Sequence, residues 1–402
     1  MYTISDLGTQ IVNGINNIKT SLASAISSKG VTTASNESFT QMVANINSIN
    51  ASGTKLNVNK LTPPSPMWQA SIIGYSSYVD TDSYLISSYS ALTKVNPNTG
   101  TTIWTKSLTH NNPYFIYKDT DTNYITGTYS GYLSKIKNDG TSIVWDVNLA
   151  QGDVYCMFKD TDGYVCGTKL GYLIKIKPDG SGILWSYNVG KGYIYTIIKD
   201  LDGSYVIGTS SGWICKINNS GTATTWSYSS GGSINYIVQE SDGYICFNMS
   251  AGNYIKKVNN TGTGLVWTYN TEYVNAAQVI KESDGYVIFN VVSNNVSLLK
   301  LSSNGTKVWK TSITTDAVTY GALVKDTYTN SYVCIFNTGI ASLSYSGVIN
   351  YIYFYLKITT LVNDNYNLNN ATNNIYVDNT GYIIYNSTAT YKFNNNPQYT
   401  WI

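Results

Sequence analysis

Residues 193–228 read YIYTIIKDLDGSYVIGTSSGWICKINNSGTATTWSY, and this stretch decides the fold. Bulky and β-branched residues alternate from Tyr193 to Lys199, Asp200-Leu201-Asp202-Gly203 is turn chemistry, and Tyr205 to Thr209 is a second run of strand character. Ser211-Gly212 then turns the chain into Trp213-Ile214-Cys215-Lys216-Ile217. Asn219-Ser220-Gly221 turns it once more into Thr224 to Tyr228, which carries Trp226. No helical apolar period runs through the unit, so it is four antiparallel strands, here A, B, C and D, with the tryptophan on D.

Outward from this unit the tryptophan returns at Trp104, Trp145, Trp185, Trp226, Trp267 and Trp309, at intervals of 40 to 42 residues. A fixed period of that length marks an array of one supersecondary unit. Trp68 lies 36 residues before Trp104, Tyr351 holds the position after Trp309, and Trp401 ends the series. Sets of A, B and C strands begin near Tyr75, Tyr114, Val154, Tyr193, Ile234, Val274, Val318 and Asn374. The expected fold is therefore mainly β, an eight-bladed β-propeller of four-stranded antiparallel blades over residues 67–402. Both Trp68-Gln69-Ala70-Ser71 and Tyr399-Thr400-Trp401-Ile402 are in phase as D strands. One of them is expected to close the ring by joining the two chain ends in a single blade.

The first 50 residues follow another rule. Ile4, Leu7, Ile11, Ile15, Ile18, Leu22 and Ile26 recur at spacings of three and four, the stripe of an amphipathic helix that Lys29-Gly30 ends. A second helix is predicted from Ser38, with Gln41 in capping-box register and Phe39, Met42, Val43, Ile46 and Ile49 on one face. Residues 1–50 thus form a small α-helical hairpin that cannot bury both stripes alone, and an attachment or oligomerisation role is expected of Ile4, Leu7, Ile11, Ile15, Ile18, Leu22, Phe39, Met42, Ile46 and Ile49. Residues 51–66, containing Thr62-Pro63-Pro64-Ser65-Pro66, are a stiff linker.

Composition narrows the function classes. The net charge is +2 on 12% charged residues, and all 25 basic residues are lysines, so the bidentate arginine contacts that read phosphate and guanine are absent. Nucleic acid is not an expected partner. No apolar run approaches the length of a membrane span, and Met1 to Asp6 starts no signal peptide, so neither membrane insertion nor ordinary secretion is expected. Of the five cysteines, Cys166, Cys246 and Cys334 occupy the B-strand position that Ile207 and Ile288 hold elsewhere, and Cys215 matches Ile174. They behave as small core hydrophobes, alongside Cys156, and neither disulfides nor a metal are expected.

Candidate chemistry is sparse. The only histidine, His110, sits in the D-to-A connection Thr109-His110-Asn111-Asn112-Pro113, where an exposed loop position is the expectation. Acid pairs at the A-to-B turns, such as Asp160 with Asp162, Asp200 with Asp202, Glu240 with Asp242 and Glu282 with Asp284, fit hairpin chemistry better than a 12-residue calcium loop. Lys159, Lys199 and Lys281 end the A strands and can offset these charges. On the opposite face, where D-to-A and B-to-C loops gather, the acids are Asp153, Glu272, Asp316 and Asp364, and two of them at glycosidase spacing would permit hydrolysis. That face is rich in Ser, Asn, Gly, Thr and Tyr, the mixture of rigid aromatics and adaptable polar groups found in binding surfaces. Tyr129, Tyr273, Asn365 and Tyr366 are its candidate ligand-binding residues, the last two in an insertion at 356–373 that breaks the repeat. No catalytic set, metal site or cofactor is expected.

Two resemblances add to these readings. Lys175-Ile176-Lys177-Pro178-Asp179-Gly180 running into Ile183-Leu184-Trp185 resembles the repeats of pyrroloquinoline-quinone-type propellers, a packing signature. Enzymes of that family also use a vicinal cysteine pair, a calcium site and an arginine; this chain has no adjacent cysteines and no arginine, so the resemblance implies the propeller and not the oxidoreductase. Ile18-Lys19 through Ile26-Ser27-Ser28-Lys29-Gly30-Val31, continuing to Phe39-Thr40-Gln41-Met42-Val43-Ala44-Asn45-Ile46, resembles the attachment segment of tail and fibre proteins from phages of low-GC Gram-positive hosts. It implies a virion protein of tail-fibre type, homo-oligomeric, with tail or baseplate proteins as partners at its N-terminal helices. Its propeller would recognise a host-surface glycan or protein. A spacer or decoration protein of the virion, and an envelope-polysaccharide-degrading enzyme, are the alternatives.

Overall fold

The computed structural model describes residues 16, 19–27, 33–35, 38, 42, 68–70, 76–250, 254–270, 276–292, 295–314, 321–327, 330–336, 339–354, 375–378, 381–385 and 390–394. The chain divides into two compact units, the larger being Pro64–Tyr399. Among the described residues of the N-terminal unit, 19–27 are helical, and Ala23 and Ile26 bury themselves against Met42 with Leu22 packed alongside. The Met42 N–H donates to the Ser38 carbonyl at 3.0 Å, a bond of helical spacing at the expected second start. Ile4, Leu7, Ile11, Ile15, Ile18, Phe39, Ile46, Ile49 and the 51–66 linker lie outside the described residues.

The larger unit is built of eight four-stranded antiparallel sheets. Their A strands are Ser76–Val79, Tyr117–Lys118, Val154–Asp160, Ile194–Lys199, Ser233–Glu240, Ala276–Glu282, Gly321–Asp326 and Ile375–Asp378, and the sheets are numbered 1 to 8 in that order. Within sheet 4 the order is Ile194–Lys199, Tyr205–Thr209, Trp213–Ile217 and Thr224–Ser229, as its residue alternation dictates. The D strands alternate exposed and half-covered side chains along the outside, whereas the B strands are buried throughout. From sheet 3 to sheet 8 the A strands of consecutive sheets lie beside one another, which places them innermost. Sheet 8 takes its fourth strand from the other end of the chain: Trp68, Gln69 and Ala70 pair with Lys392, Tyr391 and Thr390. Trp68, then, supplies the joining strand; Tyr399 to Ile402 lie outside the described residues.

Each D-strand tryptophan from Trp104 to Trp309 is a joint to the next sheet. Its indole meets a buried B-strand tyrosine there, at ring-centroid distances of 6.3 Å for Trp104 and Tyr124, 5.6 Å for Trp145 and Tyr164, and 5.7 Å for Trp185 and Tyr205. The indole also lies flat against the C-to-D turn of that sheet, where only glycine fits: a Cβ on Gly140 would stand 2.5 Å from Trp104.

A polar joint repeats beneath it. The Asp160 carboxylate of sheet 3 is buried to 4% and accepts from the Tyr205 hydroxyl of sheet 4 at 2.5 Å, from Lys175 of its own C strand at 3.1 Å, and from Lys199 of the next A strand. The same arrangement joins Asp119 to Lys135 and Tyr164, Asp200 to Lys216, Gln239 and Tyr244, and Glu282 to Lys325 and Tyr332. Lys199 and Lys281 do offset turn acids, but those of the preceding sheet, Asp160 and Glu240. Lys159 lies over the Tyr164 ring at 4.1 Å instead. A buried ammonium or carboxylate is costly unless paired and hydrogen-bonded. Each described joint supplies both, so Asp80, Asp119, Asp160, Asp200, Glu240 and Glu282 are committed to lysine and phenol partners.

The cysteines are free, and Cys166, Cys215, Cys246 and Cys334 are buried where the isoleucine comparison puts them. Burial pushes the Cys215, Cys246 and Cys334 thiols up to about 12. They are inert core groups at neutral pH.

Candidate functional site

The face opposite the polar joints is formed by the D-to-A connections and the B-to-C turns. Its geometry is set by close glycine contacts: at the sheet 3 turn, Gly171 has φ +80 and a Cβ there would stand 2.8 Å from the Gly192 carbonyl oxygen of the following connection. The Val189 N–H donates to the Gly171 carbonyl at 3.0 Å, so turn and connection are fastened to each other. This rigidity fixes where the neighbouring side chains stand.

At the inner edge of this face Tyr114, Tyr155 and Tyr195 occupy one repeat position, ahead of the A strand in sheet 2 and within it in sheets 3 and 4, each five residues before the turn acid Asp119, Asp160 or Asp200. Their rings form an arc, with centroids 5.0 Å apart for Tyr114 and Tyr155 and 5.4 Å for Tyr155 and Tyr195. Tyr193, 39% exposed, stands 6.1 Å from Tyr155. Asp153 anchors the arc from below: it is buried to 5%, accepts from the Tyr114 hydroxyl at 2.9 Å and pairs with Lys169 at 3.4 Å. Lys169 also lies over the Tyr129 ring at 5.2 Å, and Tyr129 is 53% exposed.

Burial, then the hydrogen bond to Asp153, push the Tyr114 phenol far above its ordinary value; burial and the Asp153 charge do the same to Tyr155, and burial with the neighbouring Tyr193 raises Tyr195. All three remain neutral hydroxyl donors across the physiological range. The result is a firm aromatic surface with a few oriented polar groups, the composition of a binding site.

Of the sequence-derived candidates, the structure places Tyr129 beside this arc. Tyr273, Asn365 and Tyr366 lie outside the described residues, as do Glu272, Asp316, Asp364 and the whole 356–373 insertion. Asp153 is the described acid of that face, and its engagement with Tyr114 and Lys169 leaves it a structural anion. Tyr155 and Tyr195 escaped the sequence reading because they alternate within a strand, the pattern of core residues, and Tyr114 because it stands where an A set is expected to begin.

His110 is not the exposed loop residue expected of it. It stacks on Tyr132 with centroids 3.3 Å apart and pairs through Nε2 with Asp146 Oδ2 at 2.9 Å. The Ser134 hydroxyl donates to the other Asp146 oxygen at 2.6 Å. In this order the acid stands between serine and histidine. A nucleophilic relay needs the imidazole in the middle to take the serine proton, so the trio locks a loop and performs no acyl chemistry. Lys191 covers Trp213 at 3.8 Å from the corresponding connection two sheets on, which makes the capping of a C-strand aromatic a feature of this scaffold. A shallow groove of about 730 Å³ lined by Lys94, Ile103, Trp104, Asn123, Lys137, Asn138 and Asp139 belongs to the joint between sheets 1 and 2, away from the tyrosine arc.

No family model matches the sequence, and no curated protein is significantly similar to it. Among solved structures, BamB from Moraxella catarrhalis aligns at a TM-score of 0.61 and 12% identity over 82% of this chain and 100% of that one. The computationally designed Ika8 protein aligns at 0.65 and 10% identity over 82% of this chain and 98% of that one. Sqt1 from Saccharomyces cerevisiae aligns at 0.65 and 10% identity over 83% of this chain and 100% of that one. At such identities the likeness is one of fold alone, and that fold is the β-propeller.

Proposed function

We propose that this chain is a virion protein of phage-tail or tail-fibre type. Its N-terminal helices attach it to tail or baseplate proteins and to copies of itself, and its eight sheets close as an eight-bladed propeller that recognises a component of the host surface. Binding, not catalysis, is the assigned activity, without metal or cofactor. The observation that carries the proposal is the arc of Tyr114, Tyr155 and Tyr195 with Tyr193 and Tyr129 beside it, on a face held rigid by glycine contacts. The layout of helical segment, proline spacer and β-domain, and the attachment-segment resemblance, support the virion setting.

The experiment is co-sedimentation of the purified full-length chain with cell envelopes from a panel of low-GC Gram-positive bacteria. Saturable binding to at least one envelope is expected. Failure to bind any of them, by protein that still assembles into particles, removes the recognition role.

A second role is favoured by a separate observation. The residue before the tryptophan is an exposed aliphatic in five sheets, Ile103, Val144, Leu184, Val266 and Val308. A girdle of apolar side chains on the outer strands suits lateral packing against other virion proteins. It is the surface a spacer or decoration protein would use, and a particle reconstruction showing it covered while the tyrosine face is also buried would favour that role over recognition.

A further inference from the structure

We propose that the tyrosine arc binds a linear, uncharged glycan laid across sheets 2, 3 and 4, with successive sugar rings stacked on successive tyrosines; this rests on the recognition role above and names its ligand class.

The repetition carries the inference. One residue type at one repeat position in three consecutive described sheets presents the same surface three times, at the interval of the sheets themselves; in sequence Tyr75 holds that position in sheet 1 as well, outside the described residues. A ligand that uses such a surface economically is one that repeats too, a polymer of similar units. The repetition also has an end: Asn235, Ala277 and Gly321 hold the corresponding positions in sheets 5, 6 and 7. The site is therefore a sector and not a symmetric ring around the centre, and the chain it holds has a direction.

The chemistry selects sugars over other polymers. Neutral phenols offer an apolar ring face and a hydroxyl donor together, which matches the C–H face and hydroxyl rim of a pyranose. Lys169, the cation at the arc, is already shared between Asp153 and the Tyr129 ring, and the Asp153 carboxylate repels phosphate, so an anionic backbone is disfavoured. A protein partner would be met by a larger apolar centre with tryptophan or arginine anchors. Here the surroundings are mostly small and polar, Gly152, Gly192, Ser210 and Ser211, with the exposed Leu170 beside Gly152.

The test uses the full-length protein and bound envelopes treated with either periodate, which cleaves vicinal diols of sugars, or protease. Periodate is expected to abolish co-sedimentation and protease to leave it intact. Tyr155→Ala and Tyr195→Ala are each expected to weaken binding roughly tenfold or more, the loss of one stacked aromatic. Tyr155→Phe keeps the ring and retains most of the affinity, and Leu201→Ala, on the opposite face and 91% exposed, leaves it unchanged. Unfolding temperature, measured on every variant, separates lost binding from lost folding.

Binding that survives periodate but not protease overturns the glycan assignment while the recognition role stands. Full affinity in folded Tyr155→Ala and Tyr195→Ala overturns the site. Absence of binding to any untreated envelope overturns the recognition role, and this inference with it.

Discussion

Gly221→Ala destabilises the protein by about 3 kcal/mol or more, the sum of overpacking and a left-handed backbone that alanine resists. Gly221 has φ +63 in the C-to-D turn of sheet 4, and an added methyl would overlap the Trp185 indole of sheet 3. Nothing at that position can yield cheaply. The indole is wedged between the turn and Tyr205, and the turn is closed by the Gly221 N–H donating to Asn218 at 3.0 Å. Gly182, whose added Cβ would meet nothing, is the control within a neighbouring turn: Gly182→Ala leaves stability nearly unchanged. Urea unfolding followed by tryptophan fluorescence measures both. Equal midpoints for the two variants would show that the indole does not seat on the turn.

Asp160→Ala is the second large effect. Its carboxylate is the common acceptor for Lys175, Lys199 and Tyr205, and Lys175 is itself only 4% exposed. Its loss leaves Lys175 to Asp162 alone and takes an acceptor from Lys199 and Tyr205, at about 3 kcal/mol, the low end for breaking a buried pair. Tyr205→Phe deletes the hydroxyl's hydrogen bond to Asp160 and the one it accepts from Lys175, and costs about 2 kcal/mol. Burial by itself would raise the Asp160 carboxyl, but the hydrogen bonds from Lys199 and Tyr205 outweigh it and hold it well below the usual carboxylate range. The same balance lowers Asp80, Asp119, Asp200 and Glu240, with Asp202 down to about 2.

A carboxylate with a depressed folded-state pKa stabilises fully above its unfolded value, near 4, and the contribution is lost as pH falls through the folded value. The unfolding temperature of the wild type therefore drops steeply between about pH 4 and pH 2, and Asp160→Ala flattens that dependence. A parallel pH profile in both proteins would mean that the joint carries no net charge coupling.

The tryptophan cadence made the sheets legible because each indole serves one repeated joint. The same cadence carries a signal for the polar joint that periodicity of apolar residues passes over. Lys94, Lys135, Lys175, Lys216 and Lys257 each precede a tryptophan by ten residues, and Lys300 by nine, every one a charge inside an apolar C strand. Where Tyr351 replaces the tryptophan, Ser342 replaces the lysine, so the two change together. The partners were not legible. Tyr124, Tyr164, Tyr205, Tyr244 and Tyr286 reach acids 44 to 46 residues upstream, in the preceding sheet, whereas a single repeat suggests pairing within itself.

Nor could phase alone choose between Trp68 and Trp401 for the joining strand, since both fit; the pairing of Gln69 with Tyr391 is a long-range contact with no local signature. The binding face was legible in composition but not in residues. Tyr129 was found because a loop position advertises exposure, while Tyr155, in a strand, acquires its role only when the sheets bring Tyr114 and Tyr195 beside it.

Hydrogen exchange on the full-length protein, free and bound to an envelope that it sediments with, tests most directly which face does the recognising. Slowed exchange on binding is predicted at residues 112–114, 128–131, 151–155, 168–171 and 190–195, with the turns at 119–123, 160–163 and 200–204 unchanged. Protection confined to those turns or to the outer strands, in protein that remains bound, would contradict the account.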